Sequence, residues 1–352
     1  MQRPPIRNLA DLVTAGLVTP AEAAHLAPVV ARYAFAITPA MADLIDTDDP
    51  ADPIARQFVP DIRELVTTPD ERADPIGDDV HSPVPGLVHR HRDRVLLKLT
   101  GVCPVYCRFC FRREMIGPEA GREMSVADIE RAVAYIAARP AITEVILTGG
   151  DPLVLSPRRV AMVTAMLSAV PHLTVLRWHT RVPVVAPDRV SDEMLAALTS
   201  ADRLIVYAAI HANHARELTP AACAALKRLR MAGLVLISQS VLLKGVNADL
   251  ASLTGLMQAF VANGVKPYYL HHPDLAPGTS HMRVSIAEGQ TLVAALRGAV
   301  SGLAQPTYVL DIPGGVAKVA IGASSVGVNN GVTTIRDSAG HVHPYPAEVA
   351  HD

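Results

Sequence analysis

From position 94 onward, short and nearly continuous apolar runs alternate with longer stretches whose apolar residues recur with helical period. The runs 95–99, 145–148, 174–178, 204–210, 234–242, 266–270 and 307–311 read as strands. The stretches between them read as helices with recognisable ends. Ser125 and Asp128 form a capping box for a helix that stops at Pro140, and Thr219 opens a helix that ends near Gly233. Further helices are predicted over about 157–169, 191–199, 249–263 and 285–303. Strands that are apolar on both faces are buried on both faces, which is the condition of parallel strands joined by helical crossovers. The chain is therefore read as α/β, a partial (βα)6-type barrel. A barrel is preferred to an open doubly wound sheet because of where polar residues fall. Cys103, Gly149-Gly150-Asp151, His179, His211, Gln239, Asp274 and Asp311 each sit at or just past the C-terminal end of a different strand. Barrels build their sites on that face, whereas an open sheet concentrates them at one switch point.

The first 85 residues carry no such alternation. Thr19-Pro-Ala-Glu22 predicts a capped helix reaching about position 33, Thr38-Pro predicts another, and 57–66 a third. Positions 74–88 form a connector rich in Pro, Gly and Asp with little regular structure expected. After 320 the chain turns polar and rich in Gly, Asn and Ser. Three parts result: an N-terminal helical region (1–85), a barrel core (86–320) and a C-terminal flap or interface segment (321–352).

Composition narrows the class. Half of the 352 residues are apolar but only 4% are aromatic, so aliphatic side chains must fill a large core. A net charge of −2 implies neither a polyanion nor a membrane surface as partner. No apolar run approaches the roughly eighteen residues of a membrane span, and Met1-Gln-Arg-Pro-Pro-Ile-Arg lacks the apolar core of a signal peptide. A cytoplasmic location is expected.

Three of the four cysteines fall within eight positions, Cys103-Pro-Val-Tyr-Cys107-Arg-Phe-Cys110. Three soft thiolates at C-x3-C-x2-C spacing suit an iron–sulfur cluster, with one iron left open to a small molecule. A zinc knuckle or plain core packing also uses cysteines, but zinc takes a fourth ligand, and His89 and His91 lie before the strand. Cys223, in an alanine-rich helical stretch, reads as a small core residue. In Thr148-Gly149-Gly150-Asp151-Pro152 the glycines allow close backbone approach by a ligand, and the acid can accept from an ammonium group; a tight turn needs the same residues. Lys318, seven residues past a strand end and beyond Pro-Gly-Gly, can reach over a barrel mouth and bond a carbonyl cofactor, or simply be solvated. Arg90 and Arg94 could grip a phosphate or form a surface basic patch. Asp274 and Asp311 could hold a cationic substrate end or cap turns, and Arg112 could pair with a carboxylate.

These segments, taken in order, resemble the lysine 2,3-aminomutase family of radical S-adenosylmethionine, pyridoxal-phosphate enzymes. The likeness runs over roughly 35–320. It includes Ala36-Ile-Thr-Pro, Ser82-Pro-Val-Pro-Gly-Leu, the cysteine motif with Arg112-Arg113, Thr180-Arg-Val-Pro-Val-Val, Gln239-Ser-Val-Leu-Leu-Lys-Gly-Val-Asn, Lys266-Pro-Tyr-Tyr-Leu and Asp311-Ile-Pro-Gly-Gly. The resemblance implies a radical S-adenosylmethionine barrel and migration of an amino group from C2 to C3 of L-lysine, giving β-lysine. It implies that Cys103, Cys107 and Cys110 ligate a [4Fe–4S] cluster. Gly149, Gly150, Asp151, His211 and Gln239 then contact S-adenosylmethionine. Lys318 bonds pyridoxal 5'-phosphate, Arg90 and Arg94 hold its phosphate, Arg112 takes the substrate carboxylate, and Asp274 with Asp311 take the ε-ammonium. Family members acting on glutamate do not keep both acids. Some members carry a C-terminal cysteine cluster for a structural zinc; here no cysteine follows Cys223, so no zinc is expected, and His341, His343 and His351 read as a solvated tail. The expected partners are L-lysine, a reductant such as flavodoxin or ferredoxin, and further copies of the chain, with no nucleic acid and no membrane. An aminomutase for another amino acid, or a non-catalytic cofactor-binding relative, would carry many of the same features.

Overall fold

The computed structural model describes residues 3–117, 123–329, 332–337 and 340–345. Nine strands form one sheet in sequential order: β1 (Leu87–His91), β2 (Arg94–Thr100), β3 (Glu144–Gly149), β4 (Val175–Thr180), β5 (Ile205–His211), β6 (Val235–Val241), β7 (Lys266–His271), β8 (Thr307–Asp311) and β9 (Lys318–Ala320). β2 to β8 pair in parallel, and β1 and β9 add antiparallel edges. The curled sheet stays open as a half-barrel, with no pairing between β1 and β9 among the described residues.

The crossover helices form where the apolar period and caps place them. Val126–Ala137 starts at Ser125, whose side chain accepts from Asp128 N while the Asp128 carboxylate accepts from Ser125 N. Ser156, Ser191, Thr219, Asp249 and Ser285 cap the later helices by accepting a backbone N–H of the first turn, and Ser285 also completes a capping box with Glu288. Inner faces of these helices and one face of the central strands fill one aliphatic core, while the other face of the strands lines a cavity. The single tryptophan, Trp178 of β4, is fully buried in it. Phe35, Ile37, Met41, Ile54 and Phe58 from the N-terminal region join that same core. No helix among the described residues is long and apolar enough to cross a membrane.

Several expectations need correction. The helix expected over 57–66 is two short pieces, Ala55–Phe58 and a 3-10 turn Ile62–Leu65, because Pro60 lies between them and Asp61 starts a new capping box with Glu64. The connector 74–88 runs into β1, an edge strand too short and polar to read as one. The last long helix ends at Ala299, earlier than expected, and Gly302–Ala304 forms a separate 3-10 turn. Lys318 is not in a loop. Gly314 and Gly315, at φ of 81° and 74°, reverse the chain so that β9 returns along β8 with Lys318 directly opposite Asp311. Beyond it, β10 (Val326–Asn329), β11 (Val332–Arg336) and β12 (Val342–Tyr345) make a small antiparallel sheet of their own. There His341 and His343 both approach the Asp337 carboxylate. His351 lies outside the described residues. Cys223 is half-buried, not a core residue, and donates to Leu218 O.

Candidate active site

One cavity runs along the inner face of the half-barrel, and all the candidate residues line it: Cys103, Cys107, Cys110, Gly149, Gly150, Asp151, His211, Gln239, Arg112, Arg90, Arg94, Asp274, Asp311 and Lys318. The sheet geometry explains how. Parallel strands deliver their C-terminal residues to the same rim, while the open side lets residues from β1, the cluster loop and β9 reach in.

The cysteine loop has no regular secondary structure, so side-chain contacts hold it in place. Arg108 and Arg113 both bind Glu64, a fully buried carboxylate from the N-terminal region, with Arg108 Nε 2.9 Å from Glu64 Oε1. Burial alone would raise the Glu64 pKa, but the charges and hydrogen bonds of Arg108 and Arg113 outweigh it and the net shift is downward. Arg112 donates from Nε to Asp78 Oδ2 at 3.0 Å. Asp78, fully buried, also has Arg90 at 3.7 Å and Lys98 at 3.8 Å. Neither acid was evident from sequence. The one available signal was an excess of cations around the cysteines, which burial obliges some acid to balance.

All three motif thiols are free of disulfides. Burial, then neighbouring negative charge, pushes the Cys103 thiol well above its ordinary pKa and Cys110 up to about 11. Three thiolates this deep are stable only with a cationic partner, and the donor set suits a cluster. Among the described residues no three His, Cys, Asp or Glu side chains converge to hold a single metal ion, whereas thiols serving separate corners of a cluster must be spread apart.

The Gly-Gly-Asp segment works differently from the sequence expectation. A Cβ on Gly149 would lie 2.4 Å from Thr100 O, and one on Gly150 would lie 2.3 Å from Val102 O. The glycines let the start of the cluster loop lie against β3, and both also line the cavity. Asp151 is not free to accept an ammonium. Its carboxylate takes Leu153 N at 3.0 Å, Thr180 Oγ1 at 2.8 Å, Arg181 N at 2.7 Å and Val182 N at 3.1 Å. It ties the ends of β3 and β4 together.

His211 fits a ligand contact better. It is half-buried, loss of solvent holds its pKa well below the ordinary value, and its buried Nε2 has no hydrogen-bond partner. His179 shares both properties, and its position facing the cavity adds it to the candidates. Gln239 lies one strand further on, beside His211 in the β5–β6 register.

At the far side Lys318 pairs with Asp311, and its Nζ stands 3.4 Å from His271 Nδ1 and 5.5 Å from the Tyr269 ring. His271 Nδ1 is 3.7 Å from Asp311 Oδ2. Burial would raise the Asp311 pKa, but His271 and Lys318 more than reverse that and hold it well below the carboxylate range. Asp274 has no such partners. Burial, reinforced by the negative charge of Asp311, pushes it up to about 7. The Arg90 Nε is buried without a hydrogen-bond partner, and the Gly315 turn packs against Ile76 and Arg90. A cationic side chain with a spare donor, beside an amine that can meet a carbonyl, is a donor set that fits a phosphorylated aldehyde cofactor.

The Radical SAM superfamily model matches residues 97–251, which spans the cysteine loop and β3 to β6. The L-lysine 2,3-aminomutase of Clostridium subterminale is 38% identical over 304 residues, covering 86% of this chain and 72% of the relative. The chain belongs to the lysine 2,3-aminomutase family. The Escherichia coli L-lysine 2,3-aminomutase is 35% identical, covering 81% of this chain and 82% of the relative. The glutamate 2,3-aminomutase of Clostridioides difficile is 33% identical over 89% of this chain and 72% of its own length. Membership of the lysine 2,3-aminomutase family makes the protein an enzyme, an isomerase, that uses an iron–sulfur cluster and S-adenosylmethionine.

Proposed function

We propose that the protein moves the amino group of L-lysine from C2 to C3, giving β-lysine. The observation that carries this reading is the pair of carboxyl groups, Asp274 and Asp311, in one cavity with Lys318 and Arg112. Burial and the charge of Asp311 outweigh the nearby cations Lys318, Arg112 and Arg90 and push Asp274 up to about 7, so a substrate ammonium beside it would favour its ionised form. A glutamate side chain would instead bring a third carboxylate to the same place.

When bound, S-adenosylmethionine on a reduced [4Fe–4S] cluster supplies a carbon radical, and pyridoxal phosphate supplies an electron-delocalising system for the migrating nitrogen. In this reading Cys103, Cys107 and Cys110 hold the cluster, while His211 and Gln239 face the sulfonium ligand. Gly149 and Gly150 shape the cluster loop around it. Arg90 and Arg94 take the phosphate and Lys318 anchors the aldehyde carbon. Arg112, steadied by Asp78, takes the substrate carboxylate. Asp274 and Asp311 take the far ammonium and so fix which carbon faces the radical source. Specificity follows, because a substrate without that ammonium leaves Asp274 without the compensating charge that Asp311 already has in Lys318 and His271. A small low-potential electron carrier such as flavodoxin or ferredoxin would supply the electron.

The test is anaerobic reconstitution with iron, sulfide, S-adenosylmethionine, pyridoxal phosphate and a reductant, followed by NMR of products from lysine, ornithine, arginine and glutamate. β-Lysine as the main product is expected, and Lys318→Ala should lose the visible pyridoxal absorbance while keeping its iron. A full cluster with no lysine turnover, or a preference for glutamate, rejects the assignment.

A further inference from the structure

Arg181 follows the last residue of β4 and is buried beneath the cysteine loop. Its Nη1 donates to Cys107 Sγ at 2.8 Å. Its Nη2 donates to Glu217 Oε2 at 2.6 Å and to Gln57 Oε1 at 2.7 Å. Glu217 is fully buried and is itself held, with Oε1 accepting from Asn213 N at 2.8 Å, His214 N at 2.9 Å and Gln57 Nε2 at 3.1 Å. The Arg181 backbone N–H is tied to Asp151, and the guanidinium carbon lies 4.6 Å from the Phe58 ring centre. Three separate parts of the chain therefore fix one guanidinium in place, with one arm spent on a thiol that the cluster assignment makes a ligand.

We propose that Arg181 is a positioning residue for the iron–sulfur cluster: its N–H···S bond orients the Cys107 thiolate and eases one-electron reduction of the cluster. The electron comes from an external low-potential reductant and no bond is broken. Reduction places extra negative charge on the cluster and its sulfur ligands. A fixed donor and a full positive charge beside one of those sulfurs stabilise the reduced form, most strongly in a buried, low-dielectric setting. Glu217 and Gln57 hold the fork so that it does not reorganise when the electron arrives. The proposal rests on Cys103, Cys107 and Cys110 as cluster ligands and is independent of the amino-acid substrate.

The experiment uses the anaerobically reconstituted full chain, with iron and sulfide content measured first; a wild type that binds no cluster overturns the ligand assignment itself. In wild type labelled with guanidino-¹⁵N arginine, pulsed EPR of the dithionite-reduced cluster without S-adenosylmethionine should detect a weak ¹⁵N coupling that Arg181→Lys abolishes. Spectroelectrochemical titration of Arg181→Gln should show a reduced-to-oxidised ratio about tenfold lower at a fixed potential, a shift of about 59 mV to more negative values for a one-electron couple. Arg181→Lys, which keeps a cation for Glu217, should shift less in the same direction, and it decides the matter if the Gln variant fails to fold. Wild-type potentials in both variants, or no ¹⁵N coupling, overturn the proposal. So does an unchanged potential with weakened S-adenosylmethionine binding, which would assign Arg181 to that ligand instead.

Discussion

Asp274 and Asp311 are the same side chain in one cavity, and the fold drives them in opposite directions. Asp311 sits against Lys318 and His271 and stays ionised, whereas Asp274 is pushed up to about 7 by burial and by the charge of Asp311. An unfolded aspartate titrates near pH 4. Between about pH 4 and 7 the folded protein therefore holds a proton on Asp274 that the unfolded chain has released, and stability contributed by this group falls as pH rises through that window. A substrate cation favours the ionised form, so its binding should release a proton and tighten as pH rises toward about 7, levelling off above it. Calorimetry of L-lysine binding to the cofactor-loaded, unreduced enzyme in two buffers of different ionisation enthalpy measures this directly. Asp274→Asn should remove the released proton. Identical heats in both buffers at pH 6 for the wild type would sink the idea. Sequence made both aspartates visible as acids at strand ends. It held nothing about their opposite titration, which depends on a histidine and a lysine brought in by β7 and β9.

At the scale of elements, the cysteine loop depends on the N-terminal region. Arg108 and Arg113 share Glu64, and Arg112 takes Asp78, so two acids upstream of β1 and β2 clamp a loop that has no backbone ladder of its own. Removing one partner of a buried ion pair leaves uncompensated charge and costs about 3–5 kcal/mol. Glu64→Gln should lower the urea midpoint by a corresponding amount and reduce the iron retained after reconstitution. A variant with wild-type midpoint and full iron content would show that the clamp is dispensable. The three arginines were legible beside the cysteines. Their partners were not, because Glu64 is 44 residues from Arg108 and lies in a stretch whose local pattern suggested only a helix.

For the whole molecule, the nine-stranded sheet and its helices hold the core, while β10 to β12 form a separate sheet whose described residues contribute nothing to it. Among the described residues Ile321 is the last to pack against the core, with its carbonyl accepting from Gln290 Nε2 at 2.8 Å. A chain ending after Ala323 should therefore fold, load iron and bind pyridoxal phosphate as the full chain does. Circular dichroism melting, iron content and the pyridoxal spectrum check this, and loss of the cluster in the shortened chain would contradict it. Sedimentation of the same pair of proteins tells whether the terminal sheet joins copies together.

Local chemistry determined much of this protein. Strand and helix alternation, serine and threonine caps, and the C-x3-C-x2-C spacing are properties of neighbouring residues, so they were readable along the chain, as was the resemblance built on them. Edge strands were not readable, because β1 and β9 are short and take their partners from the sheet rather than from their own pattern. Tertiary structure alone decided that Asp151 is a fully bonded tie between two strands and that Gly149 and Gly150 make room for the chain itself. It also decided that Lys318 faces Asp311 across a hairpin and that Arg181 reaches Cys107. Each depends on which groups meet in the folded state with water excluded, and a buried charge or donor is defined by its partners rather than by its place in the sequence.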